Sequence, residues 1–179
     1  DDTLIGYYEK LEYRNKETYK ALFDYTDLPI YVTNYRNRIS NEGKPDDELA
    51  SELIELAECG ATLVDVMGDY FDHCEGELTM NEESVKKQMK LIDELHGRAA
   101  EVLMSSHVLK FTPAERVLEI ALEHQRRGAD ICKIVTGAEN TDQQIENLRI
   151  INLLKENLKI PFLYLSSGEC HIVRRIGGI

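Results

Sequence analysis

The sequence predicts an α/β fold built on parallel strands, and three observations support that prediction. Apolar strand patterns alternate with helical patterns along nearly the whole chain. The strand patterns recur roughly every 31 to 37 residues, the length of one βα unit. Most are continuous apolar runs, as in parallel strands covered on both faces. These features fit either a doubly wound sheet or a (β/α)8 TIM barrel, of which about six βα units are present.

The first half of the chain contains three predicted strands and three predicted helices. The second strand follows a proline, and the helix after it has a stripe of three leucines on one face. Asn81 is the expected N-cap of the third helix. The assigned segments are strands at residues 3–8, 29–33 and 62–67, and helices at residues 16–25, 46–58 and 81–95.

The second half continues the alternation. Thr112 followed by Pro113 predicts a helix start in which the threonine is the cap and the proline opens the first turn. Because the sequence stops at Ile179 after two glycines, we expect the C-terminal strands of a barrel to be absent from it. The assigned segments are strands at residues 99–106, 128–135 and 161–166, and helices starting at Thr112-Pro113 and spanning 141–157 and 168–175.

Composition limits the possible functions. With 179 residues, of which 42% are hydrophobic and 30% charged, residues 1–179 are expected to form one domain. The net charge of −12 argues against nucleic acid or an anionic membrane as partner, and no apolar run is long enough to span a bilayer. Neither GxGxxG nor GxxxxGK[ST] occurs, which excludes the usual nucleotide-binding motifs.

Cysteine and histidine spacing predicts neither disulfides nor a metal site. The four cysteines are far apart and form no CxxC pair, which favours reduced thiols in a cytoplasmic protein. The run Asp72-His73-Cys74-Glu75 superficially resembles metal ligands, but no second His/Cys cluster at zinc spacing accompanies it. We therefore expect no bound metal.

Lys133 lies within the apolar strand at 128–135. A buried ammonium is costly unless it is paired or its pKa falls, and a lysine with a low pKa can form a Schiff base with a carbonyl compound. The alternative is an edge strand with Lys133 in solvent. Asp65 occupies the equivalent place in another strand, since each residue follows a Gly-Ala pair at the same distance. Two charges at one depth in apolar strands favour a shared interior pocket.

Other polar residues follow the ends of the predicted strands, where parallel α/β folds have their active sites. His107 is a candidate proton-transfer group beside Lys133, although a capping or surface histidine fits the same pattern. Ser166 precedes a predicted helix start that suits an anion, with Arg175 further along, but its SSG run is also a common turn. Arg36 is either a ligand-binding group or a solvated loop charge.

Together these segments resemble type I 3-dehydroquinate dehydratase, the Schiff-base-forming enzyme of the shikimate pathway. The order and spacing of His107 and Lys133, each in its own strand pattern, make the resemblance specific. It extends over residues 28–178. The matching stretches are Pro29-Ile-Tyr-Val-Thr33 with Arg36 and Glu42-Gly43, Gly60 to Asp65, Ser105-Ser106-His107 with Phe111-Thr112-Pro113, Gly128 to Lys133, and residues 161–178.

The resemblance implies an incomplete TIM barrel that dehydrates 3-dehydroquinate to 3-dehydroshikimate without metal or organic cofactor. Lys133 is expected to form the imine, His107 to move the proton, and Glu42 to orient His107. The resemblance also implies a homodimer. The expected substrate-binding residues are Arg36, Asp65, Ser166 and Arg175, with Arg174 as the alternative to Arg175.

Two departures from the family pattern leave other functions open. The predicted first strand at 3–8 lacks the Glu-x-Arg pair of the family, and Met67 stands where the family has a glutamate. These changes favour a relative that acts on another carbonyl substrate, or a non-catalytic binding protein. Retention of Lys133 with His107 favours an enzyme, because an unused buried lysine is destabilising.

Overall fold

The computed structural model describes residues 14–169 and consists of alternating strands and helices. A short 3₁₀ helix, Ile39–Asn41, follows the first strand. The strands are β1 (Tyr31–Val32), β2 (Leu63–Met67), β3 (Glu101–His107), β4 (Ile131–Gly137) and β5 (Phe162–Ser167). The helices are α1 (Lys16–Phe23), α2 (Asp46–Glu58), α3 (Glu82–His96), α4 (Ala114–Arg126) and α5 (Thr141–Asn157).

The five strands form one parallel sheet in the order β1-β2-β3-β4-β5. A doubly wound sheet reverses its strand order at a switch point, whereas a barrel adds each strand beside the previous one. The sequential order therefore decides between the two predicted architectures. These residues form part of a (β/α)8 barrel.

The two faces of the sheet differ in chemistry. Alternate residues of each strand point to opposite faces, and the outward set packs against the helices in two apolar clusters. The inward set includes three of the candidate residues named above, Asp65, His107 and Lys133. The outward residues are Val32, Val64, Val66, Val102, Met104, Cys132, Ile134 and Tyr164. The inward residues, by register, include Tyr31, Asp65, Met67, Ser105, His107, Lys133 and Leu163.

The predicted similarity between the segments around Asp65 and Lys133 is confirmed in the backbone. Gly60 ends α2 with φ of 113°, and Gly128 ends α4 with φ of 100°. These left-handed conformations are readily adopted only by glycine. Each glycine is followed by an alanine and then by a strand, so both charged side chains emerge on the inner face of the sheet.

The predicted helices at 46–58 and 141–157 match α2 and α5, and the predicted cap of α3 is also confirmed. The Asn81 side chain accepts hydrogen bonds from the backbone N–H groups of Glu83 and Ser84. The prediction that Thr112 is the N-cap of α4 was wrong. Pro113 itself is the N-cap, with extended φ and ψ of −60° and 150°, and the hydroxyl of Thr112 instead donates to Lys110 O.

Two predicted elements, the strand at 3–8 and the helix at 168–175, fall largely or wholly outside the described residues. The strand at 29–33 is present but shorter than predicted, since only Tyr31–Val32 pairs with β2. Among the helices between residues 14 and 169, none combines the length and apolar character needed to cross a membrane.

Candidate active site

Lys133 points into the barrel interior from β4. Its side chain is only 14% exposed. The Nζ atom donates a hydrogen bond to the hydroxyl of Tyr35 at 2.8 Å and lies 3.4 Å from Oδ2 of Asp65. The charge of a buried ammonium is therefore balanced by a carboxylate from β2, and the alternative of a solvated edge lysine is wrong.

Asp65 is the centre of a hydrogen-bond network. Its carboxylate is fully buried and accepts from Ser105 Oγ at 2.5 Å. The hydroxyls of Tyr31 and Tyr35 both donate to its Oδ2 atom. Three hydroxyl donors and one ammonium thus stabilise a single negative charge in a place where water is largely excluded.

The two tyrosines remain protonated in this environment. Burial raises the pKa of both phenols, and the negative charge of Asp65 raises it further. Because each phenol donates to Asp65, losing that proton would place a phenolate directly against a carboxylate. Tyr31 and Tyr35 are therefore hydrogen-bond donors at neutral pH.

His107 lies at the end of β3, next to Tyr35. The two rings meet edge to face with their centroids 5.5 Å apart. His107 Nδ1 lies 2.6 Å from Oε2 of Glu77, and the same oxygen accepts from the backbone N–H of His107 at 3.0 Å. A carboxylate at Nδ1 favours the proton on that nitrogen, which leaves Nε2 of the neutral ring as the basic atom.

Glu77 is held in place by its backbone as well as by its side chain. It lies in the loop between β2 and α3 and has φ of 49°, an uncommon conformation for a residue with a side chain. Its carbonyl oxygen accepts a hydrogen bond from Ser106 Oγ at 2.6 Å. Strained backbone of this kind is found at functional sites, which fits the position of Glu77 beside His107.

Comparison with known proteins identifies the family. The family model for type I 3-dehydroquinase matches residues 2–178, nearly the whole chain. This chain belongs to the type I 3-dehydroquinase family. The match covers the barrel strands, Lys133 and His107 together.

Individual relatives of the type I 3-dehydroquinase family agree with that assignment. The 3-dehydroquinate dehydratase of Clostridium kluyveri is 27% identical over 174 residues, which cover 96% of this chain and 64% of the relative. That of Alkaliphilus oremlandii is 33% identical over 90 residues, 49% of this chain and 35% of the relative. The chain thus spans less than two thirds of the length of these relatives.

Solved structures support the fold of the type I 3-dehydroquinase family. The 3-dehydroquinate dehydratase of Geobacillus kaustophilus superposes with a TM-score of 0.72 at 18% identity, covering 90% of this chain and 60% of that one. The type I enzyme of Clostridium difficile gives a TM-score of 0.70 at 18% identity, with coverages of 92% and 63%.

The expectation that Glu42 orients His107 is wrong. Glu42 follows the 3₁₀ helix, is exposed, and makes no contact with the imidazole. The carboxylate at Nδ1 comes instead from Glu77.

Arg36 is engaged by carboxylates of the protein itself. Nε and Nη2 form a bidentate pair with Asp46, at 3.2 and 2.8 Å, and Nη1 lies 2.7 Å from Oδ1 of Asp69. Burial lowers the pKa of the guanidinium, but these two carboxylates outweigh that effect and raise it. The expectation that Arg36 is free to bind substrate is therefore not met, because each of its three nitrogens already has a protein acceptor.

Ser166 points away from the barrel interior. It shares the outer face of β5 with Tyr164, is fully buried, and its hydroxyl has no hydrogen-bond partner within residues 14–169. The predicted strand ended at Ser166, whereas β5 continues to Ser167. The inward position at this level therefore belongs to Ser167, and the expected role of Ser166 is wrong. Arg175 lies outside the described residues.

Three residues of this site were missed by sequence reasoning. Tyr31 and Tyr35 share the strand parity that places Asp65 inside, so alternation along β1 and the residues after it was an available signal. Glu77 lies in an irregular loop, where no periodicity indicates its direction.

Between residues 14 and 169, no three His, Cys, Asp or Glu side chains are arranged to hold a metal ion.

Proposed function

We propose that this protein dehydrates 3-dehydroquinate to 3-dehydroshikimate through an imine on Lys133. The observation that supports it best is the meeting of three groups in one barrel interior. These are an amine paired with Asp65, a neighbouring imidazole, and a carboxylate on that imidazole. Membership in the type I 3-dehydroquinase family supports the same chemistry.

Lys133 acts first as the nucleophile. Its amine attacks the substrate ketone, and loss of water gives an iminium ion. The positive nitrogen withdraws electrons from the neighbouring carbon, so a proton on that carbon is removed far more easily than from the ketone. Asp65 lies 3.4 Å from the nitrogen and stabilises its positive charge before and after the imine forms.

His107 then transfers the proton. Nε2 removes it from the carbon beside the iminium, and the resulting enamine expels the adjacent hydroxyl group. The imidazolium returns the proton to that hydroxyl, which leaves as water. Glu77 holds the ring orientation and stabilises the imidazolium through Nδ1. Hydrolysis of the remaining imine frees Lys133 and the product.

The proposal is tested by trapping the imine. Borohydride reduction in the presence of 3-dehydroquinate should add one substrate-derived mass to the protein, and peptide mapping should place it on Lys133. Lys133→Ala should abolish the adduct. His107→Ala should retain it while turnover falls by about 10² to 10⁴-fold, the usual contribution of general acid–base catalysis. Full activity in Lys133→Ala would overturn the mechanism.

A second candidate is Schiff-base chemistry on a different carbonyl substrate. The observation that favours it is the complete engagement of Arg36 by Asp46 and Asp69, which leaves this expected substrate ligand occupied. An adduct at Lys133 with other ketones, but not with 3-dehydroquinate, would support this candidate. No adduct with any ketone would instead indicate a binding protein.

The proposal also covers assembly and location. We extend the homodimer implied by the family resemblance to this protein, which analytical ultracentrifugation would test. A cytoplasmic location fits the described cysteines Cys59, Cys74 and Cys132, which are free thiols.

A further inference from the structure

The hydroxyl of Tyr35 lies between the two charged groups of the site. It accepts a hydrogen bond from Lys133 Nζ at 2.8 Å and donates one to Oδ2 of Asp65. The direct separation of Nζ and Oδ2 is longer, at 3.4 Å. The best-connected route for a proton between the amine and the carboxylate therefore runs through the phenol.

We propose that Tyr35 is a catalytic residue that relays a proton between Lys133 and Asp65 while the imine forms. This inference rests on the proposed Schiff-base function and adds a residue to it. It concerns only the making and breaking of the imine. The later removal of a proton from carbon remains with His107.

Imine formation requires a proton to move from Lys133 to Asp65 and later to move back from Asp65. An ammonium has no free electron pair, so Lys133 must lose a proton before it attacks the carbonyl carbon. In the relay, Lys133 gives a proton to the Tyr35 oxygen while the Tyr35 hydroxyl proton passes to Asp65. The neutral amine then forms the carbon–nitrogen bond, and the carbonyl oxygen receives the proton that the attacking nitrogen loses.

The same proton is used again when water leaves. The carbon–oxygen bond of the carbinolamine breaks as the nitrogen pair forms the C=N bond. The departing oxygen takes the Tyr35 hydroxyl proton, and Asp65 returns its proton to Tyr35. The sum is ammonium plus ketone giving iminium plus water, with no net gain or loss of protons by the protein.

The surroundings of Tyr35 suit a relay and not a free phenolate. Burial, followed by the charge of Asp65, raises the pKa of its phenol, so the ring does not hold a negative charge at rest. In a relay the oxygen gains one proton as it gives up another. The hydroxyl is held between Lys133 and Asp65 by its own hydrogen bonds, independently of the edge-to-face contact that the ring makes with His107.

Tyr31 provides a matched control. Its hydroxyl donates to the same Oδ2 atom of Asp65, and burial raises its pKa in the same way. It makes no hydrogen bond to Lys133, and its side chain reaches Asp65 from β1. If only hydrogen bonding to Asp65 matters, replacing either tyrosine by phenylalanine should slow imine formation equally. If Tyr35 relays the proton, its replacement should slow imine formation much more.

The experiment measures the rate of imine formation in a His107→Ala background, where dehydration is slow. Borohydride is added at successive times after mixing with 3-dehydroquinate or, separately, with glyoxylate as a small aldehyde. The Lys133 adduct is quantified by peptide mapping. Tyr35→Phe should slow its appearance by about 10²-fold or more, in the range for a lost acid–base group, and Tyr31→Phe should change it only a few fold. Circular dichroism and urea unfolding verify that both variants are folded.

Each outcome supports or overturns the relay. Selective slowing in Tyr35→Phe with either probe supports it. Equal rates in Tyr35→Phe and the background protein, or equal slowing in both tyrosine variants, overturn it. If an adduct forms with glyoxylate but not with 3-dehydroquinate, the proposed substrate is wrong. The relay is then still tested by comparing Tyr35→Phe with Tyr31→Phe in the glyoxylate reaction. No Lys133 adduct with either probe overturns both proposals.

Discussion

Glu77 fixes His107 at two points through one oxygen atom. Oε2 of Glu77 lies 2.6 Å from the ring Nδ1 and 3.0 Å from the backbone nitrogen of the same residue. The carboxylate therefore ties the imidazole to its own strand end and sets which ring nitrogen is protonated. A base aligned in this way suits the proposed removal of a proton from the carbon beside a Lys133 imine.

Glu77→Gln should separate this orienting role from simple packing. The amide keeps the size of the side chain, but its NH₂ group can donate to Nδ1 and so favours the wrong tautomer of His107. We expect kcat to fall by about 10²-fold, within the range for general-base catalysis. Steady-state turnover of 3-dehydroquinate measures it, and borohydride trapping at Lys133 should still succeed.

Glu42→Gln is the comparison for that prediction, because Glu42 is the carboxylate that the family pattern selects. Its side chain is exposed, and the carboxylate bonded to the imidazole is that of Glu77, so the variant should turn over at the parental rate. A loss in Glu42→Gln with an unaffected Glu77→Gln would reverse the assignment made from the structure.

The contrast between Lys133 and Glu77 explains how far the sequence could predict this site. Lys133, Asp65 and His107 lie on regular strands, where parallel pairing brings strand ends together at one edge. Their meeting follows from the order of the strands. Glu77 depends on the path of an irregular loop, in which Phe71, Gly76 and Glu77 itself all have positive φ.

The error at Ser166 has a different cause, since side chains alternate with a period of two. A strand boundary misplaced by one residue does not move a side chain, but it changes which residue is taken as the last inward one.

The error at Arg36 has another cause, because a guanidinium can form the same bidentate pair with a carboxylate of the substrate or with one of the protein. Asp46 and Asp69 are distant enough in sequence that their convergence on Arg36 is visible only in the fold.

Gly68→Ala should disturb the site without altering any group that reacts. A Cβ atom there would lie 2.4 Å from the carbonyl oxygen of Glu77 and 2.9 Å from Ser106 Oγ, so the loop would have to move. We expect a loss of stability of about 1 to 3 kcal/mol, as for overpacked cores. We also expect slower turnover, because the Glu77 carboxylate moves with its backbone. Urea unfolding and kcat measure the two effects.

Gly97→Ala serves as the control for that substitution. Its added Cβ would meet neighbouring carbonyl oxygens at 3.4 and 3.5 Å, and Gly97 has an ordinary helical φ of −60°. Parental stability and turnover are expected. If Gly68→Ala behaves in the same way, the close contact between Gly68 and the Glu77 loop does not constrain the site.

Arg36→Ala should act on stability more than on imine formation. Removing the guanidinium leaves the fully buried Asp69 and the half-buried Asp46 without their cation. Breaking such a pair is costly, and we expect the free energy of unfolding to fall by about 2 to 4 kcal/mol. Arg38→Ala, at an exposed neighbouring position, should have little effect on it. A large loss of adduct formation in folded Arg36→Ala protein, with stability unchanged, would restore the substrate-binding role.

His124 should make the stability of the protein depend on pH. Its ring is fully buried between Ser106 Oγ at 2.9 Å and Cys132 Sγ at 3.4 Å, and burial, followed by the charge of Arg127, lowers its pKa from 6.5 to about 3. Below about pH 6.5 the unfolded chain binds a proton at this residue and the folded protein does not. Lowering the pH therefore favours unfolding. The stability that the neutral His124 ring contributes is lost progressively down to about pH 3.

The size of that effect follows from the same linkage. Between pH 7 and pH 5, protonation of His124 in the unfolded chain should remove about 2 kcal/mol of stability that His124→Gln does not lose. Urea unfolding of both proteins at the two pH values measures the difference, and the overall cost of the substitution cancels because each protein is compared with itself. Equal losses in parent and variant would mean that His124 takes up its proton without unfolding the strands around it.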